Sequence, residues 1–255
     1  MEAETAFAPA PAEQFVAYYT PIHATRPRRT PREPAAICVP RSRVEWVNRA
    51  VNIVLAALAL IALLPVLIVV AIAIKLTSPG PVIYTQRRVG VNRRRRRTQA
   101  LYDRRGEDAG GIVFTIYKFR TMRNDAEQSC GAVWATEHDP RVTPLGRVLR
   151  QYRIDELPQL VNVIRGDMNI VGPRPERPAI FADLRTRITD YHYRQRARPG
   201  ITGWAQVNKA YDLTLDDVRA KVRYDLEYLE RQSLAEDIRI MLRTVPVMLL
   251  RRGGW

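Results

Sequence analysis

Two carboxylates stand side by side at Asp155 and Glu156, within RIDELPQL (Arg153 to Leu160), in a chain of 41 Lys plus Arg against 26 Asp plus Glu. Neighbouring residues on a helix point about 100° apart. Such a pair cannot flank a scissile bond from opposite sides, as the acid and base of a glycosidase do. One carboxylate could instead attack as a nucleophile while the other holds a metal ion. The plainer alternative is capping: Asp155 as an N-cap and Glu156 in the first turn, both favoured by the helix dipole. A helix N-terminus would keep both groups ionised, which suits a nucleophile and a metal ligand but not a general acid.

Cations crowd the neighbouring sequence. Lys118, Arg120, Arg147, Arg150, Arg153 and Arg174 come from three segments around the pair. Arg174 lies in GPRPE, where two prolines fix the backbone around its guanidinium. A planar guanidinium suits phosphate oxygens. A carboxylate attacking an anionic phosphate meets repulsion, which Mg²⁺ and arginines offset in phosphoryl transfer. The alternative is that these arginines form surface ion pairs with nearby acids.

Other chemistries lack their signatures. There is no P-loop, GxGxxG or GxSxG. Two cysteines (Cys38, Cys130) and three histidines (His23, His138, His192) are scattered and give no metal pattern. A reduced cytoplasmic setting is the default for so few cysteines. The net charge of +15 implies an anionic partner: nucleic acid, a phosphorylated substrate or a membrane surface.

The elements that must position these residues divide the chain into three parts. Residues 1–40, rich in Ala, Pro and Arg, read as a disordered cytoplasmic tail. Residues 41–78 hold an uncharged run of 22 residues from Ile53 to Ile74. As a helix it is roughly 33 Å long, enough to cross a bilayer. Pro65 near its middle and basic residues on both flanks suit, equally well, a kinked hairpin that leaves by the face it entered. Residues 79–255 read as a small α/β domain, mostly helical, on the cytoplasmic face.

Within that domain the patterns predict strands at 82–85 and 112–122 and a helix beginning near 124–125. Thr143-Pro144 predicts a capped helix over 144–152. A second helix is expected over 156–165, with Asp155 as its cap, Pro158 in its first turn and Gly166 ending it. Further helices are expected at 176–195, 214–230 and 233–250, with loops at 166–176 and 198–208. The last helix mixes apolar and arginine residues, as either an interfacial helix or a core helix with a basic end would.

Several blocks together resemble one family: KLTSPGPVIYTQRRVG, YKFRTMRNDAE, DPRVTPLGRVLRQYRIDELPQLVNVIRGDMNIVGPRPE, RPGITGWAQVN and YDLEYLERQSLAEDIRIMLRTVP. They are similar to the bacterial sugar transferases, the monotopic polyprenyl-phosphate phosphoglycosyl transferases, in their short form. The resemblance implies that Asp155 attacks the β-phosphate of a UDP-sugar and that Glu156 helps bind Mg²⁺. UMP would leave, and polyprenyl (undecaprenyl) phosphate would take the sugar phosphate from the aspartate, starting an exopolysaccharide, capsule or O-antigen. It implies phosphate-binding roles at Lys118, Arg150 and the PRP-motif Arg174, to which the cation pattern itself adds Arg120, and a further acidic site residue at Asp225. It also implies a re-entrant membrane hairpin broken at Pro65, with the catalytic domain on the cytoplasmic face of the bacterial inner membrane. The tail 1–40 and the arginine-rich loop 92–111 depart from the family pattern. A competing reading is a membrane-anchored nucleic-acid-binding protein, suggested by the charge and Arg93–Arg97. It accounts for neither the dyad nor the hairpin, so nucleic acid is not the expected partner.

Overall fold

The computed structural model describes residues 40–41, 43–92, 110–124, 126, 139–209 and 214–249. The expected tail, the Arg93–Arg97 loop and most of the helix expected from 124–125 lie outside them. The longest element is α1, Glu45–Thr77, in which the uncharged run has no competing polar pattern and so forms one helix. It continues through Pro65 rather than dividing there into two separate helices. Both of its halves nevertheless pack on the same body. Ala56, with Ala59 and Leu60, joins Ile116, Leu160, Val163 and Met168. Val70 and Ile74, with Leu67 and Ala71, join Phe119 and Leu149. Between these contacts Ile61, Leu64 and Val66 are exposed.

The body begins with an antiparallel pair, β1 (Ile83–Val89) and β2 (Val113–Phe119), in which Tyr84 faces Lys118. Thr143 caps α2 (Pro144–Gln151), its hydroxyl accepting from the Gly146 N–H at 2.9 Å, as Thr-Pro predicts. The segment after α2 corrects the expected helix. Arg153 is left-handed (φ 55°), a 3₁₀ turn covers Ile154–Gln159, and α3 is only Leu160–Arg165. Pro158 has no N–H to give the Ile154 carbonyl in α register, so the tighter turn replaces the first α turn. Gly166 ends α3, as expected.

Two segments expected as loops contain the second sheet. β3 (Asn169–Val171) runs parallel to β4 (Gly200–Thr202). The strands approach so closely that a Cβ on Gly200 would lie 2.1 Å from the Gly172 nitrogen, which only glycine avoids. The 198–208 segment then ends in a short helix, α5 (Trp204–Asn208). The helix expected over 176–195 is two pieces, α4 (Pro178–Arg187) and a 3₁₀ turn over Tyr191–Arg196, because Ile188 between them is extended (φ −129°, ψ 110°).

The last two helices follow the sequence closely. α6 (Leu215–Arg231) opens with a capping box between Thr214 and Asp217, and α7 (Leu234–Leu249) follows. They close the main core, in which Phe181, Tyr191, Trp204, Tyr224, Tyr228, Leu229 and Ile240 are almost fully buried. Burying one such large apolar side chain contributes about 1.5–3 kcal/mol. α7 is both a core helix and an amphipathic one: Ile240 and Val247 point inward, while Leu234, Ile238, Leu242 and Val245 form an exposed apolar stripe.

Candidate active site

Three elements bring the charged residues together. The 3₁₀ turn carries Asp155 and Glu156, both buried. β2 carries Lys118, and the loop after β3 carries Arg174. Glu156 is held on both oxygens. Its Oε1 accepts from Lys118 Nζ at 2.8 Å and from Arg174 Nη2 at 2.5 Å. Its Oε2 accepts from Arg174 Nη1 at 3.3 Å and lies 3.6 Å from Arg153 Nη1. Arg150 reaches in from α2, its Nε donating to Thr121 Oγ1 at 2.8 Å, and feels the charge of Asp155. The Asp155 side chain accepts no hydrogen bond from a described residue.

The two carboxylates are therefore electrostatically unlike. Burial raises the Asp155 pKa to about 6, reinforced by the adjacent Glu156 and opposed by Lys118, Arg150 and Arg174. Burial pushes Glu156 up as well, but Arg174, Lys118 and Arg153 outweigh it and hold its carboxyl well below the usual range. Both carboxyls are still mostly ionised near neutral pH with these shifts, but burial and neighbouring cations set them rather than a capped helix end. Asp155 makes no side-chain cap, and it sits one residue into a buried 3₁₀ turn. Lys118 is pushed down by its own burial, with Glu156 opposing.

Arg174 is presented by a loop whose carbonyls are all engaged. Pro173 O accepts from Gly200 N at 3.0 Å, Arg174 O from Arg194 Nη2 at 3.0 Å, Pro175 O from Arg88 Nη1 at 3.0 Å and Glu176 O from Val89 N at 2.9 Å. Because the prolines donate nothing, this backbone is satisfied almost entirely by acceptance. Asp225, expected at the site, stands one layer behind it. It pairs at 2.7 Å with Arg194, both almost wholly buried, and Arg194 in turn holds the Arg174 carbonyl. Arg120 is also elsewhere. Its Nη1 donates to Pro79 O at 2.6 Å, and its Nη2 to Ser78 O at 2.8 Å and Ser78 Oγ at 2.7 Å. Two residues after Lys118 on the strand, its guanidinium meets carbonyls before it can meet a phosphate. Arg147 is exposed.

Arg88 and Arg194 escaped the sequence reading. For Arg88 a signal existed: the two-residue period of β1 puts it on the face of Tyr84 and Gln86, opposite Arg87. For Arg194 there was none, since its partner Asp225 is 31 positions away. Among the described residues no group of three or more His, Cys, Asp or Glu side chains could hold a metal by itself. Mg²⁺ usually takes one or two carboxylates with substrate phosphates completing its shell. Both Glu156 oxygens are held by Lys118, Arg174 and Arg153, so Glu156 could enter such a shell only in exchange for one of these cations.

Comparison with known proteins gives the family. The family described as "Bacterial sugar transferase" matches residues 43–251. The chain is 39% identical over 82% of its length to the UDP-N-acetylgalactosamine-undecaprenyl-phosphate N-acetylgalactosaminephosphotransferase of Aeromonas hydrophila, and covers 45% of that protein. It is 40% identical over 83% of its length to the UDP-glucose:undecaprenyl-phosphate glucose-1-phosphate transferase of Caulobacter vibrioides, covering 73%. It is 41% identical over 78% of its length to the Escherichia coli protein of the same name, covering 39%. The chain thus spans less than half the length of two of these three relatives.

Proposed function

The chain belongs to the bacterial sugar transferase family, and from that premise we propose that it transfers a sugar phosphate from a UDP-sugar to undecaprenyl phosphate through a covalent aspartate. The observation that carries this reading is the division of labour in the dyad. Glu156 has its charge committed to Lys118, Arg174 and Arg153, whereas Asp155 is a buried carboxylate that accepts no hydrogen bond from the described residues.

The first step joins an Asp155 carboxylate oxygen to the β-phosphorus and breaks that phosphorus's bond to the oxygen bridging to UMP. UMP leaves with that oxygen and its electron pair. In the second step an oxygen of undecaprenyl phosphate attacks the same phosphorus, the aspartyl bond breaks, and Asp155 is regenerated with polyprenyl-diphosphate-sugar as product. Lys118, Arg150 and Arg174 bind the phosphate oxygens and lower the repulsion between nucleophile and substrate. Glu156 with the substrate's diphosphate would hold Mg²⁺, which supplies further neutralisation of the phosphates. We assign this step to the start of a membrane glycan at the cytoplasmic face of the inner membrane.

Re-entry of α1 belongs to the same proposal. A rod crossing a bilayer would meet a domain on one side with one end, yet both halves of α1 pack on one body around an exposed middle. The exposed stripe of α7 offers a second apolar surface to the same leaflet.

The test is purified protein in detergent with Mg²⁺, undecaprenyl phosphate and a panel of UDP-sugars, following UMP. Release is expected with at least one sugar, and Asp155→Asn is expected to lower it by about a thousandfold or more, as loss of a nucleophile does. No UMP from any sugar, or full activity in Asp155→Asn, overturns the reading.

A further inference from the structure

An apolar helix that enters a membrane has no evident use for asparagine, yet α1 carries Asn48 and Asn52 in its first turns, both buried. A buried amide without partners costs several times what it gains. Asn52 is fully partnered. Its Oδ1 accepts from the Ile170 N–H at 2.7 Å, and its Nδ2 donates to Asn48 O at 2.8 Å. Ile170 is the middle residue of β3, and its N–H lies outside the β3–β4 ladder. Three residues on, the chain reaches Pro173 and Arg174.

Two further ties join α1 to the body. One turn before Asn52, Arg49 donates to the carbonyls of Val163 and Ile164. These are last-turn carbonyls of α3; Val163 O also accepts from the Gly166 N–H at 3.1 Å, so Arg49 adds a second donor there and ties the helix end to α1. The other end of that segment holds Asp155 and Glu156. At the exit of α1, Ser78 and Pro79 accept from Arg120, two residues along β2 from Lys118. Three of the four segments that carry a site residue therefore have their own polar tie to the apolar helix, the fourth being α2 with Arg150. The dyad segment is held through Arg49, the Arg174 segment through Asn52, and the Lys118 strand through Arg120.

We propose that Arg49, Asn52 and Arg120 are positioning residues that register the apolar helix against these three segments, and so set the height of Asp155 above the bilayer at which a lipid-borne phosphate reaches it. The inference rests on the phosphoglycosyl-transfer reading, and the two chemical steps separate its consequences. The UDP-sugar arrives from water and is indifferent to that height. The polyprenyl phosphate is fixed to the membrane and is not. An error of about 1 Å in such a distance is enough to lower a rate by a large factor.

The experiment measures each step alone in Asn52→Leu and Arg49→Met, in nanodiscs. Exchange of labelled UMP into the UDP-sugar reports the first step without the lipid. Transfer to undecaprenyl phosphate reports the second. Exchange is expected at the wild-type rate, while transfer falls at least about tenfold with a raised KM for the lipid and an unchanged KM for the UDP-sugar. Asn52→Asp, which keeps the acceptor for the Ile170 N–H, is expected to recover transfer. Parallel loss of both steps with a lowered melting temperature would make the ties merely structural and overturn the inference, as would wild-type transfer in both variants. If the wild-type protein itself shows no exchange with any UDP-sugar, the functional reading fails and this inference with it.

Discussion

At the scale of single residues, the dyad is two groups with opposite environments. The folded Asp155 carboxyl titrates near pH 6, above its ordinary value, so its ionisation weakens the fold as pH rises from about 4 to about 6. Attack needs the ionised form, so kcat/KM is expected to climb along an acid limb centred near pH 6 that Asp155→Asn abolishes. A limb centred near pH 4 would disconnect the rate from this carboxyl. Glu156 behaves oppositely: its lowered pKa contributes stability that is present above its unfolded value and lost only in strong acid. Glu156→Gln leaves Lys118 and Arg174 facing each other without the carboxylate that bonds both, and with only the more distant charge of Asp155 shared between them. It is expected to cost about 3 kcal/mol, read as a fall in melting temperature, beyond any effect on rate. Sequence alone named the six groups that gather here, Asp155, Glu156, Lys118, Arg150, Arg153 and Arg174, because charge type and spacing survive in a string. It missed that Arg120 would be taken by the Ser78–Pro79 carbonyls, since nothing local distinguishes an arginine aimed at a backbone from one aimed at a ligand.

At the scale of elements, local signals were legible and pairings were not. Thr143-Pro144, the Thr214 capping box and Gly166 each mark a helix end where one stands. The parallel pairing of three residues at β3 with three at β4 could not be read, because neither segment is long enough to show a period and the partners are about 30 positions apart. The turn over Ile154–Gln159 was misread as α-helix because the left-handed Arg153 moved its start upstream of the proline. For α1 the sequence left two topologies, and packing of both halves on one body favours re-entry. Single cysteines placed at the exposed Trp46 and Leu76, in a background without Cys38 and Cys130, test it. Both are expected to react with a membrane-impermeant thiol reagent from the cytoplasmic side. Labelling of one from each side would make α1 a full span.

At the scale of the whole molecule, the charge of +15 was read as addressed to external anions. Not all of the 41 cations behind it face outward. Arg43 pairs with Asp237 at 2.7 Å, Arg194 with Asp225, and Arg88 and Arg120 serve backbone carbonyls. Composition counts such arginines with those that meet substrate or lipid, and only the three-dimensional arrangement separates them. The blocks quoted from the sequence made the family legible because they fall at the β1–β2 pair, the dyad turn and the Arg174 loop together, across most of the chain.

The turn that receives Arg120 bears on how freely this sequence can drift. Gly80 has φ +117°, and a Cβ there would lie 2.1 Å from Arg120 Nη1. Ile61, Leu64 and Val66, on the same chain only a few turns away, are exposed. Saturation mutagenesis scored by glycan production is expected to accept nearly any apolar side chain at those three positions and none at Gly80. An alanine tolerated at Gly80 would mean that the guanidinium has room to yield. Permissive and forbidden sites thus alternate along a single apolar helix and its exit, and with that helix in a bilayer as proposed, a lineage could retune its fit to a thicker or thinner one without touching the chemistry.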